Sequence, residues 1–173
     1  MPRRVVEVAP ARLDGWLARF HANNPEGPQR IVGQERFDHD PLAVILVRRG
    51  GYAVGVATGG ALTEHKVGTR YVQSRTAAGG WSQQRFARRR ANQADGLVGA
   101  AAEHAVRLLT GIRPRGLVLG GDKALAASLL DDDRLAGLRH LPRRELYDLP
   151  DPRLDVLQKA LDRGLAVRIT IEE

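Results

Sequence analysis

Residues 116–123, Gly116-Leu117-Val118-Leu119-Gly120-Gly121-Asp122-Lys123, decide the fold class. An apolar strand, two glycines for a tight turn and an aspartate able to cap a following helix form one strand–turn–helix unit. The spacing predicts that this helix runs through Leu130. A second alternation follows. Arg144–Leu149 reads as a strand, and Asp151 with Pro152 as the cap and first residue of a helix to Arg163, with Gly164 closing it. Leu165–Ile171 is a final strand of alternating polarity. Upstream, Leu42–Val47 and Tyr52–Ala57 are β-rich runs joined by Arg48-Arg49-Gly50-Gly51, a hairpin signal. Ala61–Lys66 and Thr69–Ser74, meeting across Val67-Gly68, look like a second hairpin. Hairpins followed by strand–helix alternation predict an α/β domain with a mixed sheet flanked by helices.

The longest helix is expected between these two halves. Ser82 is its candidate N-cap, and no proline appears until Pro114. Leu97, Ala101, Ala105 and Leu108 recur at helical spacing, and Gly111 can end it. Near the start, Val5–Val8 is a short strand. An amphipathic helix opens at Pro10 with Leu13, Trp16, Leu17 and Phe20 on one stripe, and stops at Asn23-Asn24-Pro25. Gln29–Phe37 completes the set as another strand. With no internal repeat or clear boundary, residues 1–173 are expected to form a single domain, residues 1–58 supplying a helix and strands that complete the sheet.

The 173 residues contain 27 Lys and Arg against 20 Asp and Glu, for a net charge of +7, and no cysteine. All of that excess lies in residues 65–94, where Lys66, Arg70, Arg75, Arg85, Arg88, Arg89 and Arg90 meet no carboxylate. The absence of cysteine excludes disulfide scaffolds, zinc fingers and thiol chemistry. The longest strongly apolar run, Leu42 to Val47, is far below the roughly 20 residues that span a bilayer. The first apolar run breaks at Glu7, unlike a signal peptide. A cytoplasmic protein without membrane contact is expected. Arginine outnumbers lysine 24 to 3; a GC-rich genome explains that preference but not the clustering.

Within the basic window stands Gly79-Gly80-Trp81-Ser82-Gln83-Gln84-Arg85-Phe86-Ala87-Arg88-Arg89-Arg90. Adjacent glycines permit close backbone approach to a ligand. The helix start that follows presents free N–H groups to phosphate or an oxyanion. Arg85, Arg88 and Arg89 fall at i, i+3, i+4 and share a face. The residues alone leave two alternatives open: a loop that enters a nucleic-acid site while phosphate contacts anchor its base, or a plain turn with a solvated arginine face.

Gly79-Gly80-x-Ser82-x-x-Arg85-Phe86-Ala87-Arg88-x-Arg90 resembles the loop and helix of the eukaryotic/archaeal class-one release factors, in which a Gly-Gly-Gln loop precedes Ser-x-x-Arg-Phe-Ala-Arg. Gly116-Leu117-Val118-Leu119-Gly120-Gly121 is similar to the next strand and turn of their catalytic middle domain, whose fold is RNase H-like, and the resemblance covers about residues 60–165. Aligned without a gap, the catalytic glutamine of that family falls on Trp81, whereas this chain has glutamines at 83 and 84. Such displacement resembles the Vms-like release factors, in particular their actinobacterial branch.

The resemblance implies a peptidyl-tRNA hydrolase that rescues stalled ribosomes. Gln83 would be catalytic, with Gln84 as the alternative, on a loop formed by Gly79 and Gly80. Lys66, Arg70, Arg75, Trp81, Arg85, Arg88, Arg89 and Arg90 would contact RNA. Trp81 would either stack on a base or pack the loop against the domain. The implied partners are the large ribosomal subunit and peptidyl-tRNA, with no metal site, no cofactor and a monomeric protein. At this length no stop-codon-reading domain is expected, and without cysteine neither is the Cys/His finger of eukaryotic relatives. A non-catalytic ribosome- or RNA-binding module and a nuclease acting at the tRNA acceptor end stay open as alternatives.

Other motifs have simpler explanations. Asp38-His39-Asp40 before Pro41 reads as a polar turn. Asp131-Asp132-Asp133 reads as a solvated helix end, since consecutive carboxylates do not converge on one metal. Gly120-Gly121-Asp122-Lys123 lacks the spacing of a phosphate loop. His65 is expected on an exposed hairpin, and His104 at the edge of the core.

Overall fold

Eight strands and four helices build the computed structural model, which describes residues 1–70 and 81–173. In chain order they are β1 (Arg3–Val8), α1 (Leu13–Asn23), β2 (Arg30–Glu35), β3 (Leu42–Arg48), β4 (Gly50–Thr58), β5 (Ala61–Arg70), α2 (Trp81–Leu109), β6 (Gly116–Gly121), α3 (Lys123–Leu130), β7 (Arg143–Leu146), α4 (Leu154–Leu165) and β8 (Val167–Glu172). They fall into two compact units, Met1–Asp38 with Asp162–Glu173, and His39–Leu161.

The larger unit holds a five-stranded sheet in the order β5-β4-β3-β6-β7. β3, β6 and β7 are parallel, while β4 runs antiparallel to both β3 and β5. This is the mixed α/β sheet expected from the strand–helix alternation. β3 and β6 are buried along nearly their whole length, as strands covered on both faces must be. Ala43, Ile45, Val47, Tyr52, Val54, Leu117 and Leu119 form one face and pack with Leu97, Ala101, Ala102 and Ala105 of α2 and Ala126 and Leu129 of α3. The i, i+4, i+8 series Leu97, Ala101, Ala105 is thus the core stripe of α2. On the other face, Gly55 has no side chain where Leu157 of α4 approaches; a Cβ there would stand 3.2 Å from Leu157 Cδ2.

Gly121 closes β6 with φ +100, and a Cβ at that position would lie 2.1 Å from the Val47 carbonyl oxygen. Only glycine fits this close crossing. Asp122 then caps α3 as expected, its carboxylate accepting from the Leu125 amide at 3.0 Å.

The second hairpin is absent. β5 is one continuous strand through Val67-Gly68, with Val67 opposite Ala53 and Gly68 opposite Tyr52. Gly68 leaves room for the Tyr52 ring, whose nearest atoms lie 2.4 Å from where a Cβ would stand. The turn falls instead at Gly59-Gly60, where both residues have positive φ (63 and 83) as a two-residue hairpin loop requires. Residues 71–74, expected to end the second arm, lie outside the described residues. α4 starts at Leu154 rather than directly after Asp151, whose carboxylate pairs with Arg48 at 3.4 Å. Gly164 lies inside α4.

In the smaller unit, β1 and β2 pair antiparallel with β8 on either side, so these strands form a three-stranded sheet of their own. Val8, Leu13, Val167, Ile169 and Ile171 make its core, with Trp16, Leu17 and Phe20 of the predicted α1 stripe packed against it. Arg163 and Glu7 form an ion pair at 3.0 Å.

Candidate functional site

β5 and α2 carry six of the seven basic residues of the 65–94 window, and the sheet order sets where they emerge. β5 runs parallel to β3, since both are antiparallel to β4. Its last residue, Arg70, is therefore at the carboxyl edge of the sheet, in register with Gly50. β5 ends there, and α2 begins at Trp81. Residues 110–115 after α2 lead to Gly116, which is opposite Leu42 at the other edge. The amino-terminal end of α2 thus lies on the carboxyl-edge side.

α2 has 29 residues, about 43 Å at 1.5 Å per residue. Leu97, the first fully buried side chain described on it, is 16 residues and about 24 Å from Trp81. Arg85 and Arg88, one turn apart, are exposed, as is Lys66 on β5. Arg75, Gly79 and Gly80 lie outside the described residues. Of Arg70, Trp81, Gln83, Gln84, Arg89 and Arg90 only the backbone is described. Ser82 and Gln83 are the second and third residues of α2, so the helix begins one residue before the expected Ser82 cap. Trp81, Gln83 and Gln84 belong to the first helical turn.

A ring stack joins α2 to the sheet near this edge. His104 lies on Tyr52 with ring centroids 5.5 Å apart and 21° between planes, while the Tyr52 ring covers Gly68 of β5. Arg107 donates to His104 Nδ1 at 2.8 Å, which requires an unprotonated Nδ1. Burial, then the positive charges of Arg107 and Lys66, lower the His104 pKa below its ordinary 6.5, with Glu103 opposing. His104 is thus the half-buried core-edge residue expected of it.

Outside the ends of β3 and β6, where ligands commonly bind in open α/β sheets, lies a cleft of about 460 Å³ lined by Arg48, Lys123, Tyr147 and Asp148 among others. Its Arg48 guanidinium donates to the Leu149 carbonyl at 2.8 Å. Elsewhere, Asp132 binds Arg134 at 2.9 Å, and that hydrogen bond holds its carboxyl below the usual range. Asp40 accepts from the Gly59 amide of the β4–β5 turn at 2.9 Å. Among the described residues, no helix is long and apolar enough to cross a membrane.

The basic window of the sequence leaves out Arg49. It lies 21 residues before Arg70, outside the basic window, yet Arg48 pairs with Gly51 and Gly50 with Arg70. The β3–β4 turn therefore adjoins the point where the basic segment leaves the sheet. The Arg48-Arg49-Gly50-Gly51 hairpin signal, combined with the pairing of β4 and β5, carries that information.

No curated protein matches. Among solved structures, an archaeal translation termination factor, aRF1, is similar at 17% identity and a TM-score of 0.49; the match covers 71% of this chain and 34% of that one. The chain thus spans about a third of the length of that factor. The family described as the Actinobacteria/chloroflexi VLRF1 release factor matches residues 40–170, about three-quarters of the sequence. The protein belongs to the Actinobacteria/chloroflexi VLRF1 release factor family.

Proposed function

We propose that the protein is a peptidyl-tRNA hydrolase that acts on the large ribosomal subunit in rescue of stalled ribosomes. The 173 residues would work in the cytoplasm as one release-factor-like domain, a monomer without cofactor. Membership of a release factor family carries this reading. Exposed Arg85 and Arg88 at the start of a helix on the carboxyl-edge side give it a physical setting.

Gln83, or Gln84 in its place, promotes attack of water on the ester between peptide and tRNA. Its amide does not titrate near neutral pH, so it is no general base. It holds the water by its carbonyl oxygen or donates its N–H to the oxyanion that forms as water adds to the ester carbon. One oxyanion donor is worth about 10²–10³ in rate, and positioning adds the proximity term. Gly79 and Gly80 give the backbone room beside the tRNA end. Lys66, Arg70, Arg75, Arg85, Arg88, Arg89 and Arg90 bind phosphates, and Trp81 stacks on a base.

Large subunits carrying peptidyl-tRNA, incubated with the protein, should release peptide and leave the tRNA with an intact CCA end. A shortened end would identify a nuclease instead. Tight binding that weakens with salt but gives no turnover would identify a non-catalytic RNA-binding module.

A further inference from the structure

Arg49 sits in the two-residue turn between β3 and β4, whose closing pair is Arg48 and Gly51. It is exposed and makes no hydrogen bond or ion pair with the described residues. Its neighbour Arg48 differs: it donates to the Leu149 carbonyl at 2.8 Å and pairs with Asp151 at 3.4 Å, so its charge is largely spent within the fold. Of the other carboxylates at this edge, Asp122 caps α3 and Asp148 follows β7, on the far side of β6 from the turn. Gly50 lies opposite Arg70. The turn thus sets a guanidinium without an ion-pair partner among the described residues beside the strand end from which the basic segment departs.

We propose that Arg49 is a phosphate-contacting residue, which extends the RNA-binding surface of residues 65–94 across the β3–β4 turn. RNA is the fitting partner because Gly50 of the turn lies opposite Arg70, where the basic window of the sequence leaves β5, and the site is an exposed turn rather than an apolar groove. An exposed guanidinium on such a turn reaches a phosphate with little desolvation and binds it through two N–H groups. The inference rests on the RNA-binding part of the proposed function and not on hydrolysis.

The test measures binding of a tRNA transcript over a series of KCl concentrations. Each phosphate contact contributes about 0.7–0.9 to the slope of log affinity against log salt. Arg49→Ala should weaken binding and reduce the slope by about that amount, whereas Arg49→Lys should keep the slope. Arg113→Ala, an exposed arginine leading to the opposite edge of the sheet, should leave it unchanged. An unaltered slope in Arg49→Ala, an equal loss in Arg113→Ala, or a loss in Arg49→Lys as large as in Arg49→Ala would overturn the proposal. Peptide release by the same preparations separates the two claims. Release with an unaltered Arg49→Ala slope removes only the Arg49 contact; a reduced slope without release removes only hydrolysis.

Discussion

Tyr52 is held between the bare backbone of Gly68 and the imidazole of His104, a three-layer contact linking β4, β5 and α2. A methyl group at Gly68 meets the ring well inside contact distance, so Gly68→Ala should displace Tyr52 and destabilise the fold by about 1–3 kcal/mol, measured by urea unfolding. His104 adds a pH dependence. The folded protein holds its proton less tightly than the unfolded chain, because burial, Arg107 and Lys66 oppose the charge while only Glu103 favours it. Stability should therefore fall as pH drops through 6.5, where the unfolded histidine takes up a proton, and level off below the folded-state value. Unfolding midpoints measured between about pH 7 and pH 5 should show a shallower decline in His104→Gln than in the parent. A steeper decline would mean that the imidazolium is favoured in the fold. At this scale Gly68 was misread because its glycine signals a turn equally well as a place where a ring needs space; only the pairing with Tyr52 distinguishes them.

Strands and helices whose signals are local were legible. Leu42–Val47, Gly116–Leu119, the α1 stripe and the Asp122 cap follow from apolar runs, helical spacing and capping chemistry. Asp122→Ala should cost about 1 kcal/mol through the lost bond to the Leu125 amide, and Asp122→Asn should retain most of the stability. What eluded the sequence was decided by distant partners. Asp151 and Pro152 make a good helix start in isolation, yet α4 begins at Leu154, and the Asp151 carboxylate pairs with Arg48, about a hundred residues earlier. Strands β1 and β2 were expected in the main sheet; they pair with β8 instead, and no short-range pattern specifies which strand an edge will choose. The start of α2 lay between these cases. Its existence and core stripe were readable, whereas its first residue depends on backbone geometry that shifts by one or two positions.

The whole molecule separates charge between its units. The smaller one contains eight Lys and Arg and eight Asp and Glu, so the net +7 belongs entirely to the unit with the five-stranded sheet. The basic window was visible as composition, and the fold adds that β5 and α2 carry it to the carboxyl edge, together with Arg49. Binding to RNA should accordingly weaken steeply with salt, and the double change Arg85→Ala with Arg88→Ala should lower the slope of log affinity against log salt by about 1.4–1.8 if both meet phosphates. Hydrolysis of the ester bond is the proposed reaction. Its most direct test is the rate of peptide release from large subunits carrying peptidyl-tRNA, compared between the unaltered protein and a variant with Gln83→Ala and Gln84→Ala. The double variant should lose about 10²–10³ in rate with RNA binding retained; undiminished release by it would contradict the proposed hydrolysis.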